Sequence, residues 1–151
     1  MKRLAVCCVL AALLAAPAAQ AAPNPATLSV QATNAFFKGQ WSTMWQLLDP
    51  RYRAITTEAK YRACKAQEAK TFPRLLIERV TATTTERGTY AFPLLGKIPV
   101  SVVTVQMFFR APGDTTTQTS LNTAYWTRYR GSWYALMVPS SYRAFKAGRC
   151  P

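Results

Sequence analysis

The 151-residue chain contains no histidine, and only six of its residues are acidic. The first absence removes the side chain whose unperturbed pKa lies nearest neutrality, and with it the usual general base and imidazole metal ligand. The second leaves Asp49, Glu58, Glu68, Glu78, Glu86 and Asp114, no two of them at a helical or cross-strand spacing that pairs carboxylates for acid–base work. Six unclustered glycines offer no backbone cradle for phosphate, and neither a nucleophile elbow nor a Walker-type loop is present. A serine has no histidine to activate it. Glu78 and Asp49 are the only acids worth considering for an enzyme, and Glu78 lies beside Arg79 as Glu86 lies beside Arg87, the pattern of ordinary surface charge. No catalytic residue and no cofactor is expected.

Long hydrophobic runs are scarce as well. The opening MKRLAVCCVLAALLAAPAAQAAP sets Lys2 and Arg3 before about a dozen apolar residues and then Ala19-Gln20-Ala21, the three parts of a secretory signal peptide. That run is shorter than the roughly 20 residues that span a bilayer. The later stretch IPVSVVTVQMFF is interrupted by Ser101, Thr104 and Gln106. Residues 1–21 are therefore read as a signal peptide and residues 22–151 as a single soluble domain, secreted or periplasmic. Cys7 and Cys8 lie inside the apolar run, without the small residue and tether of a lipoprotein signal.

Loss of the leader leaves two cysteines, Cys64 and Cys150. An even number of thiols in an exported chain is readily oxidised, so a disulfide between them is predicted. For so long a loop, chain entropy assigns it about 4–5 kcal/mol. Two distant cysteines supply neither the number nor the spacing of zinc ligands, so no metal site is expected.

What the chain has in excess is positive charge. Nineteen Lys and Arg face the six acids, a formal net charge of +13, of which Lys2 and Arg3 contribute two. Such a field favours anionic surroundings. The basic residues are scattered rather than gathered in a run, and an exported protein seldom meets nucleic acid. An anionic envelope polymer, a lipid surface or a protein partner is expected ahead of DNA or RNA.

Helical patterning comes first along the chain. In PNPATLSVQATNAFFKG, Asn24 is a capping residue, Pro25 suits a first turn and Gly39 suits the position after a helix. Leu28, Ala32, Ala35 and Phe36 form its apolar stripe. Trp41, Met44, Trp45 and Leu48 give a second, short helix, read as core packing and ended by Asp49-Pro50. TTEAKYRACKAQEAK predicts a third, capped by Thr56 or Thr57, with Glu58 in the first turn and Tyr61 and Cys64 on one face.

From Arg74 onward β-branched and aromatic residues dominate. Four strands are predicted within residues 74–88, 98–110, 115–130 and 132–138, with turns at Gly88, at 111–114 and at Arg130-Gly131. The second is apolar on both faces and is expected to be covered on both sides. Short hairpin turns imply antiparallel neighbours. Helices first and strands after predict an α+β domain whose N-terminal helices pack on one face of a curved antiparallel sheet. A final turn of helix in PSSYRAFKAGRCP would close the domain.

In this order, FFKGQWSTMWQLLDPRYR, KYRAC, AYWTRYRGSWYALMV and RAFKAGRCP resemble the nuclear-transport-factor-2-like superfamily, particularly its small exported bacterial members. The resemblance implies a strongly bent sheet that wraps with the helices into a cone, whose interior holds a small molecule, is filled by side chains or serves as an assembly face. A homodimer is compatible with it. Enzymatic members, such as ketosteroid isomerases and scytalone dehydratases, place an aspartate or a histidine in the cone, and none of those residues carries over here.

Binding finds more support. Arg51, Arg53, Arg62 and Lys65, near Tyr52 and Tyr61, have the chemistry for charge-assisted hydrogen bonds to carboxylate or phosphate with rings alongside. A second group is Arg128, Tyr129 and Arg130, flanked by Trp126 and Trp133. The expected function is an exported, non-catalytic binding or accessory module of the bacterial cell envelope, for an anionic or amphiphilic ligand or a protein partner. A small-molecule isomerase- or dehydratase-like enzyme and an accessory subunit of a secretion apparatus are the alternatives.

Overall fold

Side-chain caps and prolines set the helix starts. The computed structural model describes residues 23–72 and 74–151, so the expected signal peptide lies outside the described residues. Asn24 accepts from the Thr27 N–H at 3.0 Å and starts α1 (Pro25–Phe37), after which Gly39 takes a positive φ of 68°. Thr57 accepts from the Lys60 N–H at 3.2 Å and starts α4 (Glu58–Thr71). Between them, Asp49-Pro50 ends α2 (Trp41–Leu47) and also begins α3 (Pro50–Arg53), because the Asp49 carboxylate caps the Arg51 N–H at 2.9 Å. That one-turn helix has no counterpart in the sequence reading.

Strands β1 (Leu76–Phe92), β2 (Gly96–Arg110), β3 (Gln118–Tyr129) and β4 (Ser132–Ala135) form an open antiparallel sheet in that order, and α5 (Pro139–Lys146) follows. The domain is thus α+β. The expected turn at Gly88 is corrected: Gly88 pairs with Val100 inside the ladder, and the hairpin closes over residues 93–95. Proline at 93 cannot donate to a ladder, Leu94 accepts φ 71°, and Gly96 follows at φ 68°. The last strand is also shorter than expected. Beyond Ala135, Leu136 still donates its N–H to the Tyr125 carbonyl at 2.8 Å, and Leu136 and Met137 are buried in the core before Pro139 starts α5.

Helices lie against both faces of β2, not one. Val100, Ser101, Val102 and Val103 are buried in succession, and adjacent residues of a regular strand point to opposite faces. Val103 and Val105 join Leu28 and Trp126 in one cluster. Val100 and Val102 join Leu48, Tyr52, Tyr61, Cys64 and Phe145 in another. The burial of Val100 to Val103 matches the expectation that this strand is covered on both sides.

Two hydrogen-bonded contacts tie helices to the sheet, and a disulfide ties α4 to the C-terminal segment. The Trp126 indole donates to Ser29 Oγ at 2.7 Å, and Ser29 in turn donates to the Pro25 carbonyl at 2.8 Å, so a buried polar pair locks α1 to β3. The Asp49 N–H donates to the Ala135 carbonyl at 3.0 Å, carrying the chain past the end of β4. Cys64 and Cys150 are joined in a disulfide across 86 residues, which fixes the C-terminal segment to α4.

Candidate functional site

The first expected patch divides. Asp49, with no exposed surface, takes Arg51 Nε on Oδ1 at 2.9 Å and Nη2 on Oδ2 at 2.7 Å, while the guanidinium carbon sits 4.6 Å from the centre of the Tyr129 ring. The carboxylate raises the Arg51 pKa above its ordinary value against the opposing effect of burial. Arg53 donates to the Leu48 and Gln46 carbonyls at 2.9 and 2.8 Å, satisfying acceptors at the end of α2. Both guanidinium groups are thus engaged inside the protein. Tyr61 is buried, stacked on Phe145 at 5.8 Å, and burial pushes its hydroxyl pKa well up. Lys65 lies 2.6 Å from Glu68, and Arg62 is exposed on α4. Only Tyr61 and Lys65 of this group meet, at an apolar recess of about 300 Å³ beside Phe145.

The second group also splits, and part of it lines a recess. Arg128 and Trp133 are paired across β3 and β4, and both line an open recess of about 460 Å³ together with Arg87, Thr89, Pro99 and Ser101. Trp126 is core, and Arg130 sits in the β3–β4 turn with its guanidinium carbon 5.3 Å from the Tyr129 ring. Arg128 Nε donates to the Gly131 carbonyl at 3.1 Å, which restrains that side chain at the rim.

A bulge brings Arg87 to this recess. Before it Thr84 opposes Val103, so continuous pairing would set Arg87 against Val100, on the other face of the sheet. One extra residue between Thr84 and Glu86 moves the register, and Arg87 instead opposes Ser101, which opposes Trp126 on the next strand. A one-residue shift exchanges faces, so this irregularity aims Arg87 at the side that carries Arg128 and Trp133. The sequence alone presents Arg87 as ordinary surface charge beside Glu86 and Ser101 as a break in an apolar run, and neither as a site residue. Nothing in the run TATTTERG marks where the extra residue falls.

The recess is basic because arginines line it without acids. Asp49, Glu68 and Glu78 pair with Arg51, Lys65 and Arg110, and Glu86 accepts from the Tyr90 hydroxyl. Arg87 has no ion pair among the described residues. Glu78, exposed, is held below the usual carboxylate range by the Thr117 hydroxyl and then by Arg110. A carboxylate held low and paired is poorly placed as a general acid or base near neutrality. Asp49 is enclosed by its own arginine. Among the described residues, no three of Cys, Asp and Glu gather as metal ligands.

No protein-family model matches the chain, and no curated protein does. Among solved structures, a SEC-C motif-containing protein from Rhodopseudomonas palustris is similar, at 18% identity over 75% of each chain with a TM-score of 0.42.

Proposed function

We propose that the chain is an exported, non-catalytic binding module of the bacterial cell envelope, built on the cone of nuclear-transport-factor-2-like proteins. Its ligand carries a carboxylate, phosphate or sulfate group and occupies the recess between Arg87, Arg128 and Trp133. One observation carries this reading: Arg87, Arg128, Trp133 and Ser101 together line a recess of about 460 Å³ that no acid lines. Its volume falls within the range of small-molecule sites. Guanidinium forks hold planar oxyanions through paired charge-assisted hydrogen bonds, and the indole adds an apolar wall for the rest of the ligand. The cone rests on helix-first order and on the two register shifts of β1, since bulges bend a strand. The overall positive charge would draw anions to the recess.

The test is calorimetric titration with small anions, from inorganic phosphate to aromatic carboxylates. Arg87→Gln and Arg128→Gln should each weaken binding roughly tenfold to a hundredfold, the loss of a charged hydrogen bond. Arg62→Gln, on α4, should leave it unchanged. Equal weakening by all three substitutions would show diffuse electrostatic attraction and end the assignment.

A further inference from the structure

One end of the molecule bears an aromatic cluster that the recess does not use. α1 finishes in Phe36 and Phe37, the chain reverses at Gly39, Trp41 opens α2, and Phe72 follows α4. The Phe36 ring lies 5.2 Å from Phe37, 5.5 Å from Trp41 and 5.5 Å from Phe72, all edge-on. None of the four is buried, and Phe72 is 43% exposed. They border an open recess of about 490 Å³ that Lys38 and Arg74 also line. Leu76, just beyond, is 57% exposed. This end shares no lining residue with the anion recess.

The side chains lining it identify what would cover it. They provide rings, alkyl groups, two cations and one indole N–H, with no acceptor and no acid. Phe36, Phe37 and Phe72 also line an adjoining recess that Glu68 and Asn122 share, and there Lys65 offsets the Glu68 charge. Protein interfaces combine donors with acceptors over a polar rim. An anionic lipid surface needs only cations for its phosphates and apolar groups for the layer beneath them, and rings and basic stems with polar tips suit that boundary. We infer that this end of the protein docks on an anionic lipid surface. Phe36, Phe37, Trp41 and Phe72 enter the headgroup boundary, and Lys38 and Arg74 lie against lipid phosphates. The domain would then sit on the membrane with the Arg87 recess left free for its ligand.

The test is co-sedimentation with vesicles of phosphatidylglycerol and phosphatidylcholine, against vesicles of phosphatidylcholine alone. The full chain and its processed form are both used, each variant being compared with its parent in the same form, so that any contribution of the leader cancels. Binding is expected on the anionic vesicles only. Phe72→Ser should lower the partition coefficient about tenfold, and Lys38→Gln and Arg74→Gln about fivefold each. Bromine-labelled acyl chains should quench tryptophan emission, and Trp41→Phe should remove most of that quenching. Unchanged circular dichroism and melting would show that Phe72→Ser folds.

Two outcomes overturn the inference. In one, Arg62→Gln and Arg143→Gln weaken vesicle binding as much as Lys38→Gln and Arg74→Gln while Phe72→Ser has no effect, which is attraction by net charge. In the other, vesicles are not bound and Phe72→Ser converts a dimer to a monomer, which assigns the cluster to a second copy of the chain.

Discussion

Replacing Arg51 with methionine separates a structural arginine from a binding one. The methionine retains an apolar stem near the Tyr129 ring, but Asp49 loses the guanidinium bonds of 2.9 and 2.7 Å. Its carboxylate has no exposed surface, so water cannot replace them. Each charged hydrogen bond is worth about 1.5–3 kcal/mol, and a buried charge stripped of its partner costs about 3–5 kcal/mol. Arg51 itself is 31% exposed, which places the expected loss near the lower limit, about 3 kcal/mol. Urea unfolding followed by far-ultraviolet circular dichroism should show the midpoint falling by about 1–2 M at constant slope. The distinguishing result is the double variant. Asp49→Asn with Arg51→Met leaves no buried charge and keeps an acceptor for the α3 cap, so it should be more stable than Arg51→Met alone. A loss below about 0.5 kcal/mol for Arg51→Met, together with weakened anion binding, would refute the reasoning and return Arg51 to the ligand site.

Two further predictions concern stability. Cys64→Ser with Cys150→Ser should cost about 4–5 kcal/mol, and the intact mass of the processed chain, which lacks Cys7 and Cys8, should rise by two hydrogens on reduction, whereas two thiols of that form that alkylate before reduction would contradict the bridge. Burial and then Asp49 push the Tyr52 hydroxyl, which donates to the Pro93 carbonyl at 2.9 Å, up to about 12 from an ordinary 10. Below about pH 10 the phenol is neutral folded and unfolded and its contribution is complete; as pH rises toward 12 the unfolded chain ionises first, and about 2 kcal/mol is lost. Tyr52→Phe should flatten that part of the alkaline decline in melting temperature, and an unaltered slope would contradict the assignment.

The helical half of the fold was legible because its signals are local. Asn24, Thr57 and the Asp49-Pro50 pair act on neighbours within three residues, and each does so in the structure. The disulfide was legible because two cysteines remained to pair once the expected leader was set aside. The first hairpin was not: Gly88 looks like a turn, but its place in the ladder is decided by Val100 on the facing strand. The candidate site was half visible. Arg128 and Trp133 lie within six residues of one another across a tight turn, whereas Arg87 and Ser101 reach them only through a bulge and two long-range registers. Arg51 and Arg53 misled for the opposite reason. Arg51 reads like any surface arginine until the burial of Asp49 is known, and Arg53 until its reach back to the Leu48 and Gln46 carbonyls is seen.

The bridge between Cys64 and Cys150 has a consequence for how the protein survives being cut. All four strands fall within the ring it closes, and α1, α2 and α3 fall outside. The loop over residues 112–117 is fully exposed, yet a protease that severs it leaves two pieces covalently joined through the sulfurs and still paired along β2 and β3. A nick ahead of Cys64 leaves a fragment with no covalent link to the rest, held by the Ser29–Trp126, Tyr52–Pro93 and Asp49–Ala135 hydrogen bonds and by packing. Damage to the sheet is thus latent until the sulfurs are reduced, while damage to the helical arm is immediate.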